Sequence, residues 1–200
     1  MTSVREPQQE RSRLTRERLL RSTIEVLARD GWAAATVAVV AENAGVSRGA
    51  AQHHFPTRES LITATLEQIF EDMTADASRA DAELPDGTDR VAAVVQRAVA
   101  IYTGPVFKAS LQVWAAAASD AALRELILPL EAKFARAAHQ MTVAALDPEG
   151  NNPESHRLAQ ATLDLARGLG LADTLSDDSA RRAQVMATWT SMLRLALTDR

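Results

Sequence analysis

Apolar residues in this chain recur at helical spacing almost from end to end, and no segment alternates with the two-residue period of a half-buried strand. That pattern restricts the chain to an all-α fold. Glycine and proline punctuate it. Leu20, Ile24 and Leu27 share one face of a helix expected from about Thr15 to Arg29, which Gly31 is placed to end. Thr36 can cap a second helix running to Ala44, and Gly45 breaks it. Ser47 can cap a third helix that ends at Phe55, because Pro56 has no N–H to continue the hydrogen-bond ladder. Thr57 can cap a fourth, along which Ile62, Leu66, Ile69, Phe70, Met73 and Ala77 form an apolar stripe.

Farther on, "ELPDGTDR" has the composition of a turn. Helices follow at about 88–102, 105–118 and 120–146, with "TGP" separating the first two and Pro129 expected to kink the third. "DPEGNNPES" is another break, and helices at about 153–175 and 178–198 finish the count at nine. No repeat with a period of about 20–50 residues is present. The expected organisation is an N-terminal arm and three-helix unit over residues 1–57, then a helical bundle over 58–200.

Composition removes several classes of function. The 200 residues contain no cysteine, which excludes disulfides, thiolate metal sites and cysteine nucleophiles. No apolar run approaches the roughly 18 residues of a membrane span, and the arginine-rich start lacks an apolar signal region, so a cytoplasmic protein with no membrane partner is expected. Four histidines and no carboxylate–histidine metal motif argue against an enzyme, a metal site or a cofactor. The net charge of −4 is unevenly spread. Residues 1–60 hold nine arginines against seven acids, a balance of +2, which leaves −6 for the remainder.

The stretch "TVAVVAENAGVSRGAAQHHF" places two short helices around a glycine turn, the helix-turn-helix arrangement. Val40, Ala41, Ala44, Val46 and Ala51 can pack the two helices together. Arg48, Gly49, Ala50, Gln52, His53 and His54 are then left largely outward, a short polar rod of the kind that enters a major groove about 12 Å wide. The two histidines do not suit a metal, since adjacent helical positions point about 100° apart and no third ligand follows.

"TVAVVAENAGVSRGAAQHHFPTRESL", with the preceding helix and "DGWAAAT", resembles the DNA-binding signature of TetR-family (TetR/AcrR-like) transcriptional regulators over about Arg16 to Leu66. The resemblance implies a three-helix reader, a fourth helix linking it to an effector domain, and a homodimer formed largely by the last two helices. By position it implies base contacts from Arg48, Gly49 and Ala50, and contacts to phosphates and neighbouring bases from Gln52, His53 and His54. It also implies a phosphate contact from Arg58 at the start of the fourth helix. Thr36 and Ser47, as caps, and Arg13, on the N-terminal arm, complete the candidate DNA-binding set. Ala38 and Val39 stand where many relatives carry polar residues, Gln52 where tyrosine is most common, and Ala50 where threonine is common.

The implied partners are a double-stranded DNA operator, a second copy of the chain and a small-molecule effector. Phe70, Met73, Tyr102, Phe107, Trp114 and Met141 are candidates to line the effector pocket. His139 could bond a polar effector group. Leu165, Leu169, Trp189, Met192 and Leu193 are candidates for the dimer seam. The function so implied is a sequence-specific, effector-released repressor. A helical protein-interaction module and a non-specific DNA binder without effector control remain the alternatives.

Overall fold

The computed structural model describes residues 5–82 and 89–198. Among them the backbone forms nine helices and no strand: α1 (Arg5–Ala34), α2 (Val37–Asn43), α3 (Arg48–His54), α4 (Arg58–Ala82), α5 (Arg90–Ile101), α6 (Pro105–Ser119), α7 (Ala121–Leu146), α8 (Ser155–Ala172) and α9 (Ser179–Thr198). The expected "ELPDGTDR" turn lies, up to Thr88, outside the described residues.

Local chemistry accounts for the helix ends. Gly31 takes φ 80° and interrupts α1 before its last residues. The Thr36 hydroxyl accepts the Val39 N–H at 3.3 Å, and the Ser47 hydroxyl accepts the Ala50 N–H at 3.2 Å, each satisfying an orphan donor of a helix start. Thr57 and Ser60 bond reciprocally before α4. The Ser60 N–H donates to Thr57 Oγ1 at 3.1 Å, and the Thr57 N–H donates to Ser60 Oγ at 3.2 Å. Serine here takes the place of the Glu or Gln of an ordinary capping box. Helix α7 contains Pro129, and its assignment continues through it to Leu146.

The chain divides into two compact units. One unit comprises residues up to Phe70 together with Lys108–Leu130; the other comprises Glu71–Phe107 with Glu131–Arg200. The core of the first is built from Leu19, Leu20, Val26 and Leu27 of α1, Val40 and Ala41 of α2, Ala51 of α3, Phe55, and Leu61 and Ile62 of α4. It also takes Ala109, Val113 and Ala117 from α6 and Leu123 and Ile127 from α7. Helical periodicity reveals that α6 has an apolar face but not which partner that face meets, so the sequence assigned this segment wholly to the bundle.

In the second unit α5 packs against α8 and α9. Val94, Val95, Ala145, Leu146, Ala159 and Leu193 form one apolar cluster there. Helix α8 approaches the end of α5 so closely that a Cβ on Gly170 would stand 1.8 Å from the Tyr102 carbonyl oxygen. Polar contacts supplement this packing. Asp89 caps α5 by accepting the Ala92 N–H at 3.2 Å, and its carboxylate also pairs with Arg194 of α9. Arg182 of α9 pairs with Asp173, which follows α8, at 2.6 Å.

Candidate nucleic-acid interface

The geometry of the helix-turn-helix follows from what it buries. Val40, Ala41, Ala51 and Phe55 are buried, while Ala44 and Val46 pack against the same cluster. Gly45 turns the chain at φ 61°, in the left-handed region that β-branched residues avoid. With Ala51 directed inward, α3 leaves Arg48, Gly49, Gln52 and His53 exposed and Ala50 and His54 half-buried. The outward set is short and polar with one arginine, the surface expected of a rod that approaches base edges.

His53 and His54 meet edge to face with centroids 5.8 Å apart. Partial burial, followed by the proximity of His53 and Arg16, holds the His54 imidazole below its ordinary pKa. Among the described residues no group of three or more His, Cys, Asp or Glu side chains is placed to hold a metal ion.

The expected cationic contacts differ from one another in disposition. Arg48 is exposed at the first position of α3. Arg13 lies on an exposed stretch of α1 and is engaged by Glu10, at 2.6 Å, and by Glu17. Arg58 folds back onto its own unit. Its guanidinium lies 3.7 Å from the centre of the Trp32 ring and donates to the Trp32 carbonyl. Partial burial lowers its pKa, the neighbouring Glu59 acting in the opposite sense, and its Nε is buried with no hydrogen-bond partner. The motif position alone did not reveal this stack.

A polar brace escaped the sequence reading. The exposed Arg18 donates from Nη2 to the Ala44 carbonyl at 2.5 Å and to the Gly45 carbonyl at 3.4 Å. One turn farther along α1, the buried Ser22 hydroxyl donates to the Val40 carbonyl at 3.0 Å and accepts from Asn43 Nδ2 at 2.9 Å. Asn43 Nδ2 also reaches Glu25 at 3.0 Å, and Arg29 reaches Asn43 Oδ1 at 3.3 Å. Residues 18, 22, 25 and 29 lie on one helical face, a regularity visible in sequence only once its partner is known.

The effector candidates fall in both units. Phe70 and Trp114 belong to the first, where Trp114 packs against the reader core. Met73, Tyr102, Phe107 and Met141 belong to the second. Tyr102 is fully buried, meets Phe107 edge to face at 5.4 Å, and accepts a hydrogen bond from Arg167 at 3.2 Å. Burial pushes the Tyr102 hydroxyl pKa up, against the opposing charge of Arg167. His139 has Nε2 3.2 Å from His156 Nδ1, and its own Nδ1 is buried with no hydrogen-bond partner.

The dimer candidates differ in exposure. Leu169 and Leu193 are buried within a single protomer, and Trp189 donates through Nε1 to Thr162 at 3.0 Å. Leu165 is half-buried. Met192 alone of the five is exposed, and it shares α9 with exposed Leu195, while Leu171 of α8 and Leu175 just beyond it are exposed as well. On helices rich in leucine at several faces, spacing does not say which face looks inward.

Residues 19–65 match the family model of bacterial regulatory proteins, tetR family. The HTH-type transcriptional regulator CymR of Pseudomonas putida is 36% identical over 125 residues, 62% of this chain and 62% of its own length. The reader segment of this chain is therefore similar to that of the tetR-family regulators. The similarity continues beyond the reader. The HTH-type transcriptional regulator BetI of Brucella canis is 26% identical over 181 residues, 90% of both chains. A putative transcriptional regulator from Saccharomonospora viridis, solved in complex with choline, superposes with a TM-score of 0.68 at 17% identity, over 90% of this chain and 95% of that one. At that identity the likeness is one of fold. The matched span runs from the buried Leu19 to Thr65 and so includes α2, the Gly45 turn and α3. Among the described residues no helix is long and apolar enough to cross a membrane.

Proposed function

We propose that this chain is a TetR-family, sequence-specific transcriptional repressor that binds its operator as a homodimer and is released by a small-molecule effector, and that it is not an enzyme. The observation that carries DNA binding is the disposition of α3, with Arg48, Gly49, Gln52 and His53 outward on a helix anchored by Ala51 and Phe55. Arg48 can present two donors to guanine O6 and N7, and Gly49 and Ala50 allow close approach to a thymine methyl. Thr36 and Ser47 sit where helix starts can offer N–H groups to phosphates. Residues 1–57 then supply the reader, and 58–200 the effector and dimer functions.

Two readers about 34 Å apart would match one turn of duplex and add their phosphate contacts. Exposed Leu171, Leu175, Met192 and Leu195 provide apolar surface for pairing on the last two helices and the segment that follows α8. The aromatic and sulfur side chains Met73, Tyr102, Phe107 and Met141 support an effector site in the second unit, and the S. viridis regulator of like fold was solved in complex with a small molecule, choline. Helix α4 contributes to both units, Arg58–Phe70 to one and the remainder to the other. An effector that favours one pose of α4 changes operator affinity only through unequal affinity for the two states.

Footprinting on the DNA flanking the gene tests this function. A discrete protected site whose affinity falls steeply with salt, and whose sequence preference is relaxed by Arg48→Ala, is the expected result. Equal affinity for all duplexes at low salt would overturn it in favour of a non-specific binder.

A further inference from the structure

We propose that Arg18, Ser22 and Asn43 form a positioning element for the recognition helix, one that controls sequence discrimination through the turn and not through its own contact with DNA. The inference rests on the DNA-binding reading above and adds to it a set of residues outside the reading face. A helix-turn-helix leaves carbonyl oxygens at the end of its first helix without intrahelical donors. In this chain donors come from the side of α1. Arg18 bonds the carbonyls of Ala44 and Gly45, and Ser22 adds a second donor to the Val40 carbonyl, which also accepts the Ala44 N–H at 2.9 Å, so α1 holds the C-terminal end of α2 and the first turn residue at several points. Asn43 links this grip to Ser22 and Glu25, and Arg29 approaches the other end of its amide.

The brace therefore ends on Gly45, two residues before the Ser47 cap from which α3 departs. Space beside Gly45 is also close. A Cβ there would meet Arg18 Nη2 at 3.1 Å, so the guanidinium and the turn backbone are fitted to one another. Apolar packing through Val40, Ala41 and Ala51 keeps the helices together, but such contacts are non-directional and tolerate small rotations. Hydrogen bonds do not, because they weaken steeply with misalignment. The brace thus selects one orientation of α3 from those the apolar core permits. Base-edge hydrogen bonds need that orientation, whereas phosphate contacts carry no sequence information.

Operator and non-cognate duplex affinities, each measured across a salt series, test this on the full-length protein. Arg18→Met and Asn43→Ala alter exposed side chains and serve as the principal variants; Ser22→Ala removes the buried hydroxyl. Each is expected to lower the ratio of operator to non-cognate affinity by about tenfold, the worth of one good base contact, with the salt dependence of operator binding unchanged. Arg18→Lys, which retains the charge but ends short of the position of Nη2, should restore little of the ratio.

A uniform loss on both duplexes, with a salt slope reduced by about one and rescue by lysine, would make Arg18 a phosphate contact and overturn the proposal. An unchanged affinity ratio in folded Arg18→Met and Asn43→Ala protein would overturn it too. Failure of the wild-type chain to prefer any duplex would instead overturn the DNA-binding reading beneath it.

Discussion

Gly170→Ala gives a sharp quantitative test of the packing in the second unit. The added Cβ would stand 1.8 Å from the Tyr102 carbonyl oxygen, 2.8 Å from its carbon and 2.9 Å from a Phe107 ring carbon. An ordinary close C···O contact is about 3.3 Å, so α8 would have to withdraw by about 1.5 Å. Two of the obstructing atoms are backbone and cannot rotate aside. Withdrawal would also disturb the Arg167–Tyr102 hydrogen bond and the Tyr102–Phe107 edge contact.

Overpacking costs about 1–3 kcal/mol, and the rigid obstacle places this case near 3. Alanine regains about 1 kcal/mol of helix preference, leaving a net loss of about 2 kcal/mol. For a chain of this length that corresponds to a fall in Tm of about 4–8 °C. Gly168, on the same helix, would place its Cβ with nothing within 4 Å in its own protomer. Gly168→Ala should therefore gain about 1 kcal/mol and raise Tm by about 2–4 °C. Thermal denaturation over a protein concentration series measures both and reveals any contribution from assembly. Equal shifts for the two variants, or a Gly170→Ala protein as stable as wild type, would refute the close-approach argument.

Other perturbations address the reader and the seam. Ser47→Ala removes the acceptor for the Ala50 N–H and should cost about 0.5–2 kcal/mol by urea denaturation. The depressed folded-state pKa of His54 means that the unfolded chain binds a proton first as pH falls below the ordinary imidazole value of about 6.5. Stability contributed by His54 is thus complete above that pH and is lost as pH falls through the folded value. His54→Gln should flatten the stability profile over that window, and parallel profiles would count against a partly buried imidazole held neutral. Met192→Glu with Leu195→Glu should leave the protomer folded while shifting sedimentation toward the monomer and abolishing tight operator binding; an unchanged dimer would place the interface elsewhere.

The reader was legible from sequence because its signals are local. Thr36, Gly45, Ser47 and Pro56 act on backbone within a few residues of themselves, and the two caps and the turn occur where their chemistry places them. The start of α1 was less visible. Residues 5–14 contain few apolar side chains to mark a face, yet the helix assignment begins at Arg5, with Arg13 pairing to Glu10 and Glu17 at helical spacing. Tertiary choices were hidden more deeply. Nothing in the periodicity of α6 assigns Val113 to the reader core, and nothing in "HHFPTRESL" turns Arg58 onto Trp32. Leu193 and Met192 are neighbours of similar hydrophobicity, but one is 1% exposed and the other 56%, a distinction made by the rotation of α9 alone.

Neutralisation within the reader bears on how such a protein finds its address. Arg13 is offset by Glu10 and Glu17 and Arg29 by Asp30, within a segment whose excess is only two positive charges. Attraction to arbitrary duplex grows with the number of phosphates neutralised, so a sparingly cationic surface lingers little on the vast surplus of decoy sequence in a chromosome. Fewer copies are sequestered along the way, and a small cellular pool can keep a single promoter occupied.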